Sequence, residues 1–150
     1  MDRVEYGLPI ICVVDDSEDD LLVLKRTLKR LDVNNPLQHF FKADDALRFF
    51  ESVQAKTLNV GFILLDVNLP GSDGVSFLKA LRNGSAHRYV PVIMFTTSDA
   101  DEDISSSYKA GANAYVTKPV ATAAFADALQ NIINFWLKTV RLPPVNIKEF

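Results

Sequence analysis

Cysteine and histidine are scarce in this chain, and their scarcity limits the kinds of site that it can build. The single cysteine, Cys12, lies in the apolar run "PIICVV" and cannot form an intramolecular disulfide, so we expect it to pack in the core. The two histidines, His39 and His87, are far apart in sequence and have no neighbours of a metal-binding type. We therefore assign no catalytic role to either histidine.

An excess of basic residues and a long apolar run are also missing. The formal net charge is −3, whereas a nucleic-acid-binding surface is normally basic, so we expect no nucleic-acid partner. No segment approaches the roughly 20 apolar residues of a membrane span, and the N-terminus lacks the apolar stretch of a signal peptide. With 150 residues, of which 48% are hydrophobic, the chain fits one globular domain in the cytoplasm, with no membrane partner.

Short apolar runs alternate with segments of helical periodicity along the chain. The runs have the length and the β-branched or aromatic content of strands, and three of them are apolar enough to be buried on both faces. Strand and helix alternate five times, which predicts an α/β fold with a parallel sheet covered by helices on both sides. The predicted strands are "IICVV" from Ile10, "LQHFF" from Leu37, "VGFILL" from Val60, "VPVIMF" from Val90 and "AYV" from Ala114.

The helices are predicted from the spacing of apolar residues and from end signals. The fourth, from about residue 100 to 110, has little beyond Ile104 and Tyr108 to bury, so we expect it to be weakly anchored. The last runs from about residue 121 to 140 and is strongly apolar. The end signals are a capping box of Ser17 and Asp20 for the first helix, Asp44 or Asp45 before the second, Asp73 before the third and Gly111 after the fourth.

Polar side chains follow four of the predicted strands at the point where each strand ends. In an open α/β sheet, ligands bind beyond the carboxyl ends of the strands, so we expect these side chains to gather at one edge. They are Asp15 and Asp16 after the first strand, Asp66 after the third, Thr96 and Thr97 at the end of the fourth, and Lys118 after the fifth.

Three carboxylates in one crevice repel each other and need a cation or a shared proton. Lys118 supplies one positive charge, and a divalent metal can supply the rest. Ligation by oxygen atoms alone favours Mg²⁺. Such a site is suited to accept a phosphoryl group: Asp66 would attack in line, and Thr96 would donate a hydrogen bond to the new phosphate.

Four motifs, "VVDD", "ILLDVNLPGSDG", "PVIMFTTSD" and "GANAYVTKPV", together resemble those of receiver domains in two-component response regulators. The resemblance covers about residues 8 to 140, with the motifs in the expected order. It implies a flavodoxin-like, doubly wound sheet of five parallel strands in the order 2-1-3-4-5, flanked by five helices. It also implies a signalling phosphoacceptor that catalyses only its own Mg²⁺-dependent phosphotransfer and dephosphorylation.

The resemblance further implies roles for individual residues. Asp66 would be the phosphoacceptor, and Lys118 would contact the phosphate, aimed into the site by a cis Lys118–Pro119 bond. The metal and switch residues implied in the same way are Asp16, Asp66 and the backbone carbonyl of Asn68 as Mg²⁺ ligands, Asp15 as a ligand through water, and Thr96 with Tyr115 as the switch pair.

Two segments, "TTSDADEDISSSYKAGANAYVTKPV" and "NFWLKTVRLPP", look like those of single-domain regulators that work with bacterial and cyanobacterial phytochromes. This closer resemblance implies a sensor histidine kinase as the partner, such as a bacteriophytochrome. No output domain is expected after residue 140, so the signal would leave through altered surface or dimer contacts involving the fourth helix, the fifth strand and the fifth helix.

The C-terminal segment is expected to be separate from the receiver domain. We divide the chain into a receiver domain, residues 1–140, and a C-terminal arm, residues 141–150, in which Pro143 and Pro144 forbid a helix. The last helix carries more apolar surface than one sheet face needs, so we expect a homodimer formed through that helix and the arm. A frayed tail is the alternative.

Other interpretations of these residues remain open at this point. Asp15 and Asp16 could cap the first helix, Asp66 could begin an Asx turn, and Tyr115 could be an ordinary core aromatic. Two other functions fit the sequence less well. An aspartyl-phosphate hydrolase usually carries its nucleophile after the first strand, with a second aspartate two residues later. Here Asp66 follows the third strand, and the residue two positions after it is Asn68. A flavodoxin-like cofactor binder needs a phosphate loop, which "DDSEDD" does not provide.

Overall fold

The chain forms one parallel sheet in the computed structural model, which describes residues 7–145. The strand order is β2-β1-β3-β4-β5, and every pair of neighbours is parallel, which confirms the predicted doubly wound topology. The three central strands are almost wholly buried, as their continuous apolar sequences predict. The strands are β1 (Ile10–Val14), β2 (Leu37–Phe40), β3 (Val60–Leu65), β4 (Val92–Thr96) and β5 (Ala114–Thr117).

Five α-helices flank the sheet, and most of their ends are where the sequence predicts them. Ser17 caps the first helix by accepting a hydrogen bond from the amide of Asp20, and Asp73 caps the third in the same way. Among the residues described, no helix is long and apolar enough to cross a membrane. The helices are α1 (Glu18–Arg30), α2 (Ala43–Glu51), α3 (Gly74–Arg82), α4 (Asp101–Lys109) and α5 (Thr122–Asn134).

The start of α2 and the end of α5 differ from the predictions. Helix α2 begins at the buried Ala43, so its N-cap is Lys42, which makes no side-chain cap. Asp44 and Asp45 lie inside the first turn, where their negative charges interact favourably with the helix dipole. The α-helical part of α5 ends at Asn134, and a π-helical turn, Phe135–Thr139, carries the chain to residue 140.

The sheet separates two hydrophobic cores. Helices α1 and α5 cover one face and enclose a core around Phe62, Phe95 and Leu129. Helices α2 and α3 cover the other face, where Phe50 and Phe77 are buried. With both faces covered, the carboxyl ends of the strands remain the accessible edge for a ligand.

Helix α4 buries little, in agreement with its polar sequence, since Ser107 is the only buried residue of the helix. Its C-terminal end is nevertheless held in place by the side chain of Arg82. The guanidinium of Arg82, at the end of α3, donates to the carbonyl of Gly111 at 3.0 and 3.1 Å and to the side chain of Asn113 at 2.9 Å. It also donates to the carbonyls of Arg88 (2.8 Å) and Val90 (2.6 Å). One half-buried cation therefore joins the ends of α3 and α4 to the start of β4.

Gly111 is required where this contact is made. Its φ of +105° is a conformation that residues with side chains rarely adopt, and a Cβ there would lie 3.1 Å from Cγ and Nε of Arg82. The sequence predicts Gly111 only as the residue that ends α4. The structure adds a second role, since the missing side chain leaves room for the guanidinium of Arg82.

We expect Arg82→Ala to lower the free energy of unfolding by about 2–3 kcal/mol, because several carbonyls would lose a charged donor. Urea denaturation followed by circular dichroism measures this loss. Arg30→Ala is the matched control, since exposed Arg30 donates one side-chain bond, to Gln130 at 3.3 Å, and its removal should change the free energy by about 0.5 kcal/mol or less. Equal losses in the two variants would contradict the anchoring role of Arg82.

Candidate functional site

The ammonium group of Lys118 lies at the centre of the acidic cluster beyond the carboxyl ends of the strands. Its Nζ is 2.7 Å from Oδ2 of Asp15, 2.7 Å from Oδ2 of Asp20 and 3.1 Å from Oδ2 of Asp66. The side chain of Lys118 is 5% exposed, so these contacts replace its hydration. The backbone amide of Lys118 donates to the carbonyl of Thr96 at 2.6 Å, which holds the end of β5 beside the end of β4.

Asp15 and Asp66 each divide their two carboxylate oxygens between a local turn and Lys118. Oδ1 of Asp15 accepts from the amide of Ser17 at 2.8 Å, and Oδ1 of Asp66 accepts from the amide of Asn68 at 3.1 Å. Oδ2 of each residue faces Lys118. The turn interpretation and the functional interpretation of these carboxylates therefore hold together, because the turns fix the orientation in which the carboxylates meet the cation.

Asp15, Asp16 and Asp66 can bring three carboxylate oxygens within 4.8 Å of one another. Asp15 and Asp66 are buried, whereas Asp16 is exposed at the mouth of the cluster. Oxygen atoms at this spacing fit a hard divalent cation that keeps part of its water shell. Asn68 is exposed beside Asp66, so the residues predicted as metal ligands all lie in one region.

Burial and ion pairing act against each other on the charges of the site. Burial raises the pKa of the Asp15 carboxyl, and the bond to Lys118 only partly offsets this effect. Burial alone would lower the pKa of Lys118, but hydrogen bonds to Asp15 and Asp20 and the charge of Asp66 outweigh it, so this pKa is raised. Lys118 therefore stays charged, and one ammonium faces more carboxylates than it can neutralise, which favours binding of a further cation.

Thr96 and Tyr115 lie on the neighbouring strands β4 and β5, next to the acidic cluster. Thr96 is fully buried at the end of β4, and its hydroxyl accepts from the amide of Ser98 at 3.4 Å. Tyr115 is half-buried, and its hydroxyl donates to the carbonyl of Ser98 at 2.9 Å. Burial raises the pKa of this phenol, so it remains a donor. Both side chains thus contact the same residue of the β4–α4 loop, and Ser98 in turn donates through Oγ to Asp103 of α4 at 2.5 Å.

The backbone around Asp66 leaves no room for a side chain at the start of α3. A Cβ on Gly74 would lie 2.0 Å from the carbonyl oxygen of Asp66, and the amide of Gly74 donates to the carbonyl of Val67 at 3.0 Å. The motif "DVNLPGSDG" therefore returns the chain directly behind Asp66. The ring of His39 contacts the carbonyl of Asp15 at 2.8 Å.

Two features of the site differ from the sequence-based expectations. The Lys118–Pro119 bond is trans, since no peptide bond among the described residues is cis, and Lys118 reaches the site nevertheless. Asp20 was expected only as part of a capping box. Its backbone amide makes that cap, while its carboxylate contacts Lys118. The sequence does contain one indication of this contact: Asp20 lies four residues, about one helical turn, after Asp16, at the end of α1 that is close to the site.

Comparison with known proteins identifies relatives over most of the chain. Residues 11–130 match the family described as response regulator receiver domain. Response regulator Rcp1 of Synechocystis sp. is 31% identical over 137 residues, which cover 89% of this chain and 92% of that protein.

Solved structures resemble the fold over a similar length. The phosphorylated cyanobacterial phytochrome response regulator RcpA superposes with a TM-score of 0.85 at 27% identity, covering 92% of this chain and 100% of that one. The Mn²⁺-bound form of response regulator Rcp1 superposes with a TM-score of 0.83 at 30% identity, covering 91% and 99%. The family resemblance drawn from the sequence motifs is therefore confirmed.

Proposed function

Because the chain belongs to the response regulator receiver family, whose members are phosphoacceptors in signalling, we propose that Asp66 is the residue that accepts the phosphoryl group. The observation that supports this choice is the position of Asp66 at the end of the central strand β3. There its carboxylate lies 3.1 Å from the ammonium of Lys118 and within 4.8 Å of a carboxylate oxygen of Asp15 and of Asp16.

The proposed reaction is a phosphoryl transfer with the chain itself as acceptor. A carboxylate oxygen of Asp66 attacks the phosphorus atom, the new P–O bond forms, and the bond to the donor breaks with its electron pair leaving on the donor. Lys118 stabilises charge on the phosphoryl oxygens, and the hydroxyl of Thr96 donates a hydrogen bond to one of them. The same residues would act when water later hydrolyses the aspartyl phosphate.

We further propose Mg²⁺ as the metal of this site, held by Asp16, Asp66 and the backbone carbonyl of Asn68, with Asp15 acting through water. The support is the oxygen-only donor set and the excess of carboxylates over ammonium groups. When bound, Mg²⁺ neutralises charge on the transferring phosphoryl group.

Asp66→Asn should remove phosphorylation, because an amide is a poor nucleophile. Incubation of the wild type with acetyl phosphate and Mg²⁺ should give a phosphorylated species by intact-protein mass spectrometry that is labile to hydroxylamine, as an acyl phosphate is. EDTA should prevent its formation. Asp44→Asn, which changes an exposed carboxylate on α2, is the matched control and should be phosphorylated like the wild type. A labelled Asp66→Asn variant would contradict the assignment.

A sensor histidine kinase is the proposed phosphoryl donor, and a phytochrome-type kinase is the proposed source of the signal. The support is similarity to the cyanobacterial phytochrome response regulator RcpA and to Rcp1 over most of the chain. Such a kinase would meet this receiver in the cytoplasm. Phosphotransfer from a panel of purified histidine kinases, with Asp66→Asn as the control acceptor, identifies the cognate partner.

We propose that phosphorylation acts on the surface formed by α4, β5 and α5 through Thr96 and Tyr115. A bond from Thr96 to the phosphoryl group draws the β4–α4 loop toward Asp66 and stabilises the contact between Tyr115 and the carbonyl of Ser98. Because Ser98 is also bonded to Asp103, the first turn of α4 follows the loop. Helix α4 is suited to this role because it buries little.

Amide hydrogen exchange should therefore be slower over residues 96–116 when the chain is phosphorylated, with the largest change in the β4–α4 loop. Exchange is measured by mass spectrometry with acetyl phosphate and Mg²⁺ present or absent. The Asp66→Asn variant under the same conditions controls for effects of the reagents. Identical exchange over residues 96–116 in both states of the wild type would refute the switch.

A homodimer formed through α5, the π-helical turn and the C-terminal arm is the last part of the proposed function. Phe135 supports it, since this large apolar side chain is 47% exposed on the π-helical turn. The described part of the arm lies against its own chain: Leu142 is near Gly61, and Pro143 and Pro144 border a cavity with Tyr89. The rest of the arm, residues 146–150, lies outside the described residues.

Sedimentation equilibrium should give a weight-average mass that rises with concentration from 16.7 kDa toward twice that value. Phe135→Lys should weaken the association at least about tenfold, because it places a charge in an apolar contact. Val53→Lys is the matched control, since Val53 is 73% exposed on the opposite side of the sheet. A mass of one chain at every concentration would contradict the dimer.

A further inference from the structure

The ammonium of Lys118 contacts three carboxylates that a phosphoryl group would have to compete with. An ammonium has three N–H donors; Lys118 donates to Asp15 and Asp66 and lies in close contact with the carboxylate of Asp20. The contacts to Asp15 and Asp20, both 2.7 Å, are shorter than the 3.1 Å contact to Asp66. The cation is therefore held closer to the α1 side of the crevice than to the proposed phosphoacceptor.

We propose that Asp20 is a positioning residue that competes with the phosphoryl group for Lys118. This inference rests on the proposed function of Asp66 and extends it to the strength with which the chain holds a phosphoryl group. Asp20 draws Lys118 toward α1 in the unphosphorylated chain, and its charge opposes the arrival of further negative charge.

The side chain of Asp20 is free for this role because it is not needed to start the helix. The backbone amide of Asp20, not its carboxylate, donates to Oγ of Ser17 at 3.2 Å and completes the N-cap of α1. Neutralising the carboxylate therefore leaves the cap in place.

Asp20 is also the partner that Lys118 can release at the lowest cost. Asp15 is buried and fixed through its second oxygen to the amide of Ser17. The side chain of Asp20 is 29% exposed, against 8% for Asp15, so its carboxylate can turn toward water when the ammonium moves. A released Asp20 is hydrated, whereas a released Asp15 would be a buried unpaired charge.

The experiment measures the equilibrium binding of beryllofluoride, a phosphoryl mimic that binds an aspartate carboxylate, by calorimetry at saturating Mg²⁺. Asp20→Asn should bind it about fivefold more tightly than the wild type, which corresponds to about 1 kcal/mol, the scale of one partly exposed ion pair. Asp19→Asn is the matched control, because it removes the same charge from the same turn of α1 at an exposed residue that does not contact Lys118. Its affinity should stay within about twofold of the wild type.

A double-mutant cycle tests whether Asp20 acts through Lys118. In a Lys118→Met background, Asp20→Asn should change the affinity by less than about twofold, since the competition has been removed. Thermal unfolding monitors whether the Lys118→Met chain is folded. Asp20→Glu gives an independent test that leaves Lys118 in place. Its longer carboxylate can still reach the ammonium, so this variant should bind beryllofluoride with the wild-type affinity and not with the higher affinity of Asp20→Asn.

The outcomes separate this inference from the proposed function. If the wild type binds beryllofluoride but Asp20→Asn binds it equally or more weakly, the competition is overturned while Asp66 stands. The same gain in the Lys118→Met background, or a gain for Asp20→Glu equal to that for Asp20→Asn, also overturns it. If the wild type does not bind at all, the proposed function fails, and this inference fails with it.

Discussion

One buried cation holds the site together. Lys118 arrives from the end of β5 and meets carboxylates from the end of β1, the first turn of α1 and the end of β3. Removing one partner from a buried ion pair typically costs about 3–5 kcal/mol, because the remaining charge stays buried without compensation. The negative charges of Asp15 and Asp66 are therefore tolerated at buried positions because this ammonium compensates them. The sheet order matters for the same reason, since it places β1 and β3 side by side and β5 within reach of both.

The turn contacts of Asp15 and Asp66 explain how a buried acidic cluster can be rigid without a second ammonium. Each carboxylate has one oxygen bonded to a backbone amide two residues further along the chain, so its orientation is determined locally. The second oxygen of each carboxylate faces the ammonium of Lys118. This division suits a site whose ligand is exchanged, because the backbone contact that orients each carboxylate does not involve the ligand.

Most of the fold and much of the site could be predicted from the sequence, because the signals were local. Continuous apolar runs gave β1, β3 and β4, and polar residues directly after the strands gave Asp66 and Lys118. The contact of Asp20 could not be predicted in this way. It joins residues 98 positions apart (118 − 20) and depends on how far the first turn of α1 leans over the end of β5, which packing decides. The start of α2 was missed for a similar reason, since burial of Ala43 outweighed the capping preference of the aspartates that follow it.

Helix α4 is held differently at its two ends, and this difference bears on the proposed switch. At the C-terminal end, Arg82 ties the carbonyl of Gly111 to α3 and to the start of β4 through a charged, half-buried network. At the N-terminal end, the helix is joined to the rest of the molecule through Ser98, which contacts Tyr115 and Asp103. Ser98 stands two residues after Thr96, so any shift of Thr96 toward Asp66 acts first on this less firmly anchored end. If Thr96 acts as the proposed switch residue, a helix fixed at its C-terminal end would pivot rather than translate, and the residues at its N-terminal end would move furthest.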